Sequence, residues 1–129
     1  PSPDNEEAHW DSIEGQGSLY HPSFAAVTLG LIHGSQPDKL VLCHDASRET
    51  IDDLPAYPLV ELGACMKGYL AAAHLTNKNA SFAGICINSS RLSDAETSYY
   101  IQKIEDKYGF PCCDPVKHGV SGIVNNLGV

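Results

Sequence analysis

The sequence has few positive charges and no long apolar run. Eight lysines and arginines stand against sixteen aspartates and glutamates among 129 residues, so the formal net charge is −8 and the pI is near 5.0. Nucleic acids and anionic membranes bind broad basic surfaces, and this composition excludes both as bulk partners. A helix needs roughly 18 consecutive apolar residues to cross a bilayer, and no such stretch occurs. We therefore expect a small-molecule substrate, with no nucleic acid and no membrane as partner.

Sequence patterns that mark several common sites are also missing. The chain contains no GxxxxGK[ST] phosphate loop, no GxGxxG dinucleotide motif and no GxSxG hydrolase elbow. It has no CxxC or HxxxH spacing, which argues against a zinc site. The five cysteines are an odd number, and two of them are adjacent at positions 112 and 113. This usage favours reduced thiols and a cytoplasmic protein.

The chain begins with proline rather than methionine, which indicates a processed chain or a piece of a longer protein. Residues 1–8 are acidic and rich in turn-forming residues, and we predict a flexible lead-in there. Residues 9–129 have globular composition. We predict that they form a partial α/β domain, which packs against an upstream part of the same protein and assembles into homo-oligomers.

What is present is an alternation of apolar runs and amphipathic stretches. The apolar runs predict strands at 10–14, 39–43 and 81–88, with a weaker one at 110–113. Three- and four-residue periodicity predicts a helix at 59–73. Further helices are predicted at 22–33, 93–108 and 120–127, while 44–57 is predicted to be a polar loop. This order predicts a three-layer α/β fold with a mainly parallel sheet and helices on both faces.

Local signals mark the ends of two of these helices. Pro22 suits the first position of a helix and Gly34 the residue after its end, and the stretch between them is apolar on nearly all sides. We therefore predict a buried helix there. Ser93 and Glu96 have the spacing of a capping box, and Gly109 is a helix stop.

Ligands of parallel α/β sheets bind beyond the carboxyl ends of the strands. That rule selects four polar segments, each directly after an apolar run: 14–23, 44–48, 88–91 and 114–118. In the first, Glu14 could hold Mg²⁺ or act as a base. Gly15 and Gly17 would let a ligand approach the backbone, while His21 and Ser23 could donate to a phosphate or carboxylate. The alternative is a tight strand–helix turn without a ligand.

The other three segments each leave two interpretations open. Arg48 could clamp a carboxylate or phosphate beside Asp45, or Asp45 could simply cap a turn while Arg48 is solvated. Asn88 could read a base edge or belong to ordinary turn chemistry. Lys117 could touch an anionic ligand or lie in solvent.

Specific strings resemble a known family. They are HWDSIEGQGSLYHPS at 9–23, LIHGSQPD at 31–38, YPL at 57–59, NSS at 88–90 and DPV at 114–116. Together they resemble the carboxyl-terminal domain of the domain-of-unknown-function 1611 family. The resemblance implies the second half of a P-loop-type nucleotide-binding domain, similar to dethiobiotin synthetase, with a phosphate loop and a Rossmann-like domain upstream. Some family members are assigned as D-glutamate N-acetyltransferases that use acetyl-CoA.

The resemblance also implies roles for individual residues. Glu14 would be the carboxylate on the Mg²⁺ or phosphate side, and Asn88 with Asp114–Pro115 would lie near an adenine. The full hypothesis is an acetyl-CoA-dependent N-acetyltransferase that acts on an acidic D-amino acid of the D-glutamate class. The alternatives are a synthetase or ligase that depends on ATP and Mg²⁺, similar to dethiobiotin synthetase, and a non-catalytic ligand-binding half-domain. It assigns catalysis to Glu14 and His21, with Glu14 also the metal ligand. It assigns cofactor binding to Gly15, Gly17, Ser18, Ser23, Asn88, Arg91, Asp114 and Pro115, and substrate binding to Asp45, Arg48 and Lys117.

Overall fold

A computed structural model describes residues 9–15 and 17–128. Its strands are β1 (Lys39–Asp45), β2 (Thr50–Ile51), β3 (Leu54–Pro58), β4 (Ser81–Asn88) and β5 (Cys112–Cys113). Its helices are α1 (Ala25–Ser35), α2 (Leu62–Ala73), α3 (Asp94–Tyr108), α4 (Pro115–His118) and α5 (Ser121–Asn125). No helix among these residues is long and apolar enough to cross a membrane.

The central sheet is parallel, with strand order β1-β4-β5. Its register places Cys43, Cys86 and Cys113 side by side across the three strands. The short strands β2 and β3 form a separate antiparallel pair. Because all three strands of the main sheet run the same way, their carboxyl ends meet at one edge, where ligands of such sheets bind.

Helices cover both faces of this sheet. Ile85 is fully buried in a core that includes Met66 of α2 and Ile104 of α3. Gly84 faces the other way, toward α5, where an added Cβ would lie 2.6 Å from Ile123 Cγ1. Since consecutive residues of a strand point to opposite faces, α5 lies on the face opposite α2 and α3. The predicted three-layer α/β fold is confirmed.

Strand β4 and helix α3 form where the local signals predict them. The apolar run 81–88 is a strand with the predicted bounds, and β5 occupies the last two residues of 110–113. The Ser93 side chain accepts from the Glu96 N–H, and Glu96 accepts from the Ser93 N–H, which completes the capping box. Gly109 ends α3 at φ 71°, a left-handed conformation that glycine adopts without strain.

The predicted strand at 10–14 is wrong. These residues pair with no strand in the described part of the chain, and Trp10 and Ile13 are about half exposed. An apolar pattern becomes a strand only where a neighbouring strand satisfies its backbone groups. The flexible lead-in predicted for 1–8 lies outside the described residues.

Helix α1 differs from its prediction in both bounds and burial. It begins at Ala25 after a series of turns, so Pro22 is not its first residue. Gly34 lies inside the helix, and Gln36 takes the left-handed position at its end. The helix buries only Thr28 and Ile32, while Val27 is 55% exposed. Its packing is against α2, where Ile32 joins a small cluster of buried alanines, so the predicted helix is confirmed and its predicted burial is wrong.

The region 44–57 is not one loop. Strand β1 continues to Asp45, and β2 and β3 form a hairpin with Asp53 at φ 58°. The Leu59 N–H donates to the Glu49 carbonyl, and helix α2 begins three residues later, at Leu62. Helix α5 is shorter than predicted.

Candidate functional site

Three of the four predicted segments meet at the carboxyl edge of the sheet. Asp45 at the end of β1 is the register partner of Asn88 at the end of β4, and the Ala46 N–H donates to the Asn88 carbonyl at 3.1 Å. The next residue, Ser89, bonds to Asp114 after β5. The order of the strands therefore joins 44–48, 88–91 and 114–118 into one surface.

Asp114 is the most heavily bonded group of this surface. Asp114 is buried, with only 4% of its surface exposed. Oδ2 accepts from the Ser89 N–H at 2.9 Å and from its hydroxyl at 2.5 Å. Oδ1 accepts from the N–H groups of Val116 and Lys117 at 2.9 and 3.2 Å, which caps α4. These donors, the Ser89 hydroxyl foremost, lower the Asp114 pKa to about 2, so the group is a carboxylate at neutral pH.

Lys117 is bonded within the fold. Its Nζ donates to the Leu92 carbonyl and to the Thr97 hydroxyl, both at 3.2 Å, and lies 3.5 Å from Asp94 Oδ1. The interpretation that the Lys117 side chain lies in solvent is therefore wrong. The predicted contact of Lys117 with a substrate stays a prediction, and a ligand would have to share an ammonium that already has three partners.

The turn after β4 carries the second arginine. The Asn88 side-chain oxygen accepts from the Ser90 N–H at 3.0 Å, and the Leu92 N–H donates to the Ser89 carbonyl at 2.9 Å. Arg91 is exposed and, among the described residues, has no ion pair within 4 Å. Its positive charge is close enough to Asp45 to help lower the pKa of that carboxyl. Arg91 is thus a cation on an ordered turn.

Arg48 lies between two carboxylates. Its Nε is 3.3 Å from Asp45 Oδ2, and its NH2 nitrogen is 3.1 Å from Asp52 Oδ2 in the hairpin. Asp45 also accepts from the N–H and hydroxyl of Ser47, at 3.0 and 2.6 Å. The Ser47 hydroxyl is the main cause of the lowered Asp45 pKa, followed among the charges by Arg48 and Arg91. Asp45 therefore caps a turn, as one interpretation predicted, while Arg48 is paired rather than solvated.

The first predicted segment has no hydrogen bond or ion pair with these three in the part of the chain that the structure describes. Glu14 is exposed and follows no strand. Burial raises the pKa of the Cys43 thiol, and the nearby Glu14 carboxylate adds to that rise, so Glu14 lies beside β1. The Tyr20 hydroxyl donates to the Ala64 carbonyl at 3.0 Å, and the Tyr69 hydroxyl accepts from the Leu19 N–H at 2.9 Å. Two tyrosine contacts therefore hold this segment on α2.

His21 has a defined tautomer in this segment. The Ser23 N–H donates to His21 Nδ1 at 3.1 Å, so a neutral ring carries its proton on Nε2. The ring packs against Phe24 with 4.6 Å between centroids. In this orientation Nε2–H can donate, and the lone pair of Nδ1 already accepts the Ser23 N–H. The geometry therefore favours the donor role predicted for His21 over the role of base.

The remaining predicted residues lie in irregular backbone before α1, except Pro115. Gly17 has φ 68° and its carbonyl accepts from the Thr28 hydroxyl at 3.4 Å. The Ser18 hydroxyl accepts from the Tyr20 N–H at 3.1 Å. Gly15 has open space around it, and Pro115 is the first residue of α4. The ligand roles predicted for these residues stay predictions.

The comparison with protein families decides what kind of chain this is. The model described as the domain of unknown function DUF1611, carboxyl-terminal P-loop domain, matches residues 2–124. The chain belongs to the DUF1611 family.

Two curated relatives and one solved structure are similar to this DUF1611 chain. The relatives are named D-glutamate N-acetyltransferase: one from Pseudoalteromonas is 46% identical over 128 residues, and one from Tritonibacter scottomollicae is 40% identical over 126. Each match covers 98% of this chain, which spans 38% of the length of either relative. The crystal structure of a DUF1611 family protein from Anabaena variabilis matches with a TM-score of 0.81 and 32% identity, over 89% of this chain and 34% of that one.

Sequence reasoning missed Ser89, which is fully buried in the DUF1611 chain and joins two of its strand ends. The signal was present in the Asp114–Pro115 pair, because an aspartate before a proline is a typical start of a helix. An Asp114 side chain that caps α4 points back toward the sheet, where Ser89 lies. The partner itself could not be found, since it is 25 residues away in sequence.

The described side chains supply only part of a magnesium site. Among residues 9–15 and 17–128, no three His, Cys, Asp or Glu side chains are grouped to hold a metal ion. Magnesium is commonly bound by one or two carboxylates together with phosphate oxygens and water. Glu14 is one exposed carboxylate of that kind. These residues could therefore supply one ligand to a nucleotide-bound Mg²⁺, but not a complete site.

Proposed function

We propose that the protein carrying this chain is an N-acetyltransferase, which moves an acetyl group from acetyl-CoA to the amine of an acidic D-amino acid of the D-glutamate class. The observation that carries this proposal is the pair of relatives named D-glutamate N-acetyltransferase, which are 46% and 40% identical across nearly all of the chain. Because the sequences are this similar over a whole domain, the first hypothesis is that this protein and the two relatives catalyse the same reaction. The activity belongs to the whole protein, of which the chain corresponds to a part.

The reaction sets three requirements for side chains. The amine of the amino acid attacks the thioester carbonyl, the C–N bond forms, the C–S bond breaks, and CoA leaves as a thiol. The attacking amine has to lose a proton, and the exposed Glu14 carboxylate is the base that this chain offers. The thioester oxygen gains negative charge and needs donors, a role open to His21 Nε2–H and to the backbone N–H groups after Gly17.

The anionic groups of both substrates need cations. The chain has two arginines, Arg48 and Arg91, and both follow strands at the carboxyl edge of the sheet. Arg91 has no ion pair to give up among residues 9–15 and 17–128, which suits it to the phosphates of CoA. Arg48 could exchange its exposed partner Asp52 for a substrate carboxylate, because exposed ion pairs cost little to break.

The test is acetyl transfer by the intact gene product. We expect N-acetyl-D-glutamate, detected by mass spectrometry, from acetyl-CoA and D-glutamate, with L-glutamate and D-alanine as matched substrates that probe the stereocentre and the second carboxylate. Glu14→Gln should lower kcat about 100-fold if Glu14 is the base. His21→Gln, which keeps an N–H donor, should cost less than His21→Ala. Absence of product with all three amino acids would contradict the proposal.

An ATP- and Mg²⁺-dependent synthetase is the second candidate, and the P-loop description of the matched domain favours it. Ligand-induced thermal stabilisation separates the two candidates, since a ligand stabilises the state that binds it. Stabilisation by CoA alone supports the transferase. Stabilisation by ATP that depends on Mg²⁺ supports the synthetase.

A further inference from the structure

The first turn of α4 holds the turn 89–92 at both of its ends. At one end, Asp114 accepts both donors of Ser89, at 2.9 and 2.5 Å. At the other end, Lys117 donates to the Leu92 carbonyl at 3.2 Å. Asp114 also accepts the Lys117 backbone N–H at 3.2 Å, so the two contacts are parts of one unit.

Arg91 lies between these two points of attachment. Its own guanidinium has no ion pair among the described residues, and the carboxylate whose pKa it helps to lower, Asp45, is already bonded to Arg48. An arginine that pairs within the fold contributes to packing, whereas one without a pair on a tightly held turn is available to an anion. The entropy cost of ordering the loop on binding is smaller when the backbone beneath the arginine is already ordered.

We propose that Asp114 and Lys117 are positioning residues which hold the turn 89–92 so that Arg91 can bind a diphosphate group. The inference rests on the proposed function only where it assigns the diphosphate to CoA. A nucleotide carries the same group and would bind Arg91 in the same way. In this assignment Asp114 acts on the ligand through Arg91, without touching it, because its oxygens are occupied by four donors.

A double-mutant cycle on the intact gene product tests the inference, with CoA, ADP and pyrophosphate as separate probes in calorimetric titrations. We expect Arg91→Ala to weaken the binding of the best probe about tenfold, the loss of one charge-assisted contact. Asp114→Asn should weaken it by a similar factor in the wild-type background. In the Arg91→Ala background, Asp114→Asn should have no further effect, because the residue it positions is gone.

Glu61→Gln is the matched control. Glu61 is also an acidic cap whose pKa is lowered to about 2, by Lys107 first, but it begins α2 and bonds to Lys107, Tyr108 and the Ala64 N–H. It should leave the dissociation constant unchanged. Lys117→Met removes the ammonium contacts with Leu92, Thr97 and Asp94 and leaves the bonds between Asp114 and Ser89 in place. It should also weaken binding only while Arg91 is present, and it keeps the test available if Asp114→Asn does not fold. Equal weakening by Asp114→Asn with and without Arg91, or equal weakening by Glu61→Gln, would overturn the inference.

The probes separate this inference from the proposed function. Binding of CoA or ADP that depends on Arg91 and Asp114, in a protein that transfers no acetyl group, would sustain the inference and contradict the transferase. Acetyl transfer with a KM for acetyl-CoA that neither variant changes would sustain the transferase and contradict the inference. Dependence seen with ADP but not with CoA would assign the diphosphate to a nucleotide.

Discussion

The turn after β4 and the segment 14–23 were predicted as ligand sites by the same rule, yet the structure holds them very differently. Ser89 is fully buried and Asp114 is 4% exposed, and the bonds between them join two strand ends. The described residues of 14–23 are largely exposed and are held on α2 through hydroxyl groups of Tyr20 and Tyr69. The turn is anchored through a buried contact at Ser89, whereas the other segment is held by contacts at the surface.

This difference shows what a polar residue after an apolar run can and cannot indicate. The run before Asn88 is a strand, so the sheet fixes where the following turn lies. The run before Glu14 is not a strand, so the position of Glu14 depends on contacts that the run does not encode. A rigid turn suits the binding of a ligand's anionic group, whereas an exposed segment can move when substrate arrives.

The largest expected effect is at the buried carboxylate. Asp114→Ala should lower the free energy of unfolding by about 3 kcal/mol, because it leaves N–H groups of Ser89 and α4 without their acceptor. Urea denaturation measures this. Asp94→Ala, at a side chain that is 99% exposed, is the control and should cost far less. A cost below about 1 kcal/mol for Asp114→Ala would remove the contrast between the two regions.

Glycine substitutions test the packing beneath the rigid region. An added Cβ at Gly84 would lie 2.6 Å from Ile123 Cγ1 and 2.9 Å from the Pro111 carbonyl oxygen, so Gly84→Ala should cost about 2 kcal/mol. Gly30→Ala is the opposite case, since Gly30 lies inside α1 with nothing within 4 Å. It should stabilise the protein by up to about 1 kcal/mol. Equal thermal shifts for both would contradict the assigned packing.

Acid should weaken the rigid region through Asp114. A carboxyl whose pKa is lower in the folded state stabilises the fold above its unfolded pKa, and this contribution is lost as pH falls through the folded value. With a folded pKa of about 2 and an unfolded one near 3.9, the window runs from about pH 4 to about pH 2. The free energy of unfolding of the wild type should therefore fall across that range by on the order of 2 kcal/mol more than that of Asp114→Asn. Denaturant titrations at each pH measure both values. Parallel curves would contradict this.

The exposed segment should respond more weakly to the loss of one contact. Tyr20→Phe removes the hydrogen bond to the Ala64 carbonyl and should cost about 1 kcal/mol or less, since the site is exposed. Limited proteolysis should show faster cleavage within 14–24, because local opening becomes easier. Tyr99→Phe, at a tyrosine that is 72% exposed, should change neither stability nor cleavage. Unchanged cleavage in Tyr20→Phe would mean that other contacts hold the segment.

The smallest effect is expected at the hairpin. Asp52→Asn breaks the ion pair with Arg48, whose partners are 70% and 38% exposed, and should cost less than about 0.5 kcal/mol. The difference should shrink further as salt is added. Asp53→Asn removes the same charge next to that pair and serves as the control. A larger loss for Asp52→Asn would show that Arg48 holds the hairpin more firmly than an exposed pair can.

Much of the fold was predictable, because its signals are local. The bounds of β4, the Ser93–Glu96 capping box and the glycine that ends α3 each depend on residues within a few positions of one another. The hairpin was not predictable from 44–57, since β2 has only two residues and β3 contains two prolines, which are unusual inside a strand. The burial of α1 was also mispredicted, because an apolar helix indicates that something covers it but not which surface does.

The sequence by itself determined the acidic charge, the alternation of strands and helices, the ends of α3 and the strings that identify the DUF1611 family. Only the tertiary structure decided which strand ends meet, that Ser89 and Asp114 bond across 25 residues, and that Arg91 lies on a turn attached to α4 at both of its ends. The reason is physical. Capping and periodicity act within a few residues, whereas these contacts exist only after the β1-β4-β5 order brings distant turns to one edge.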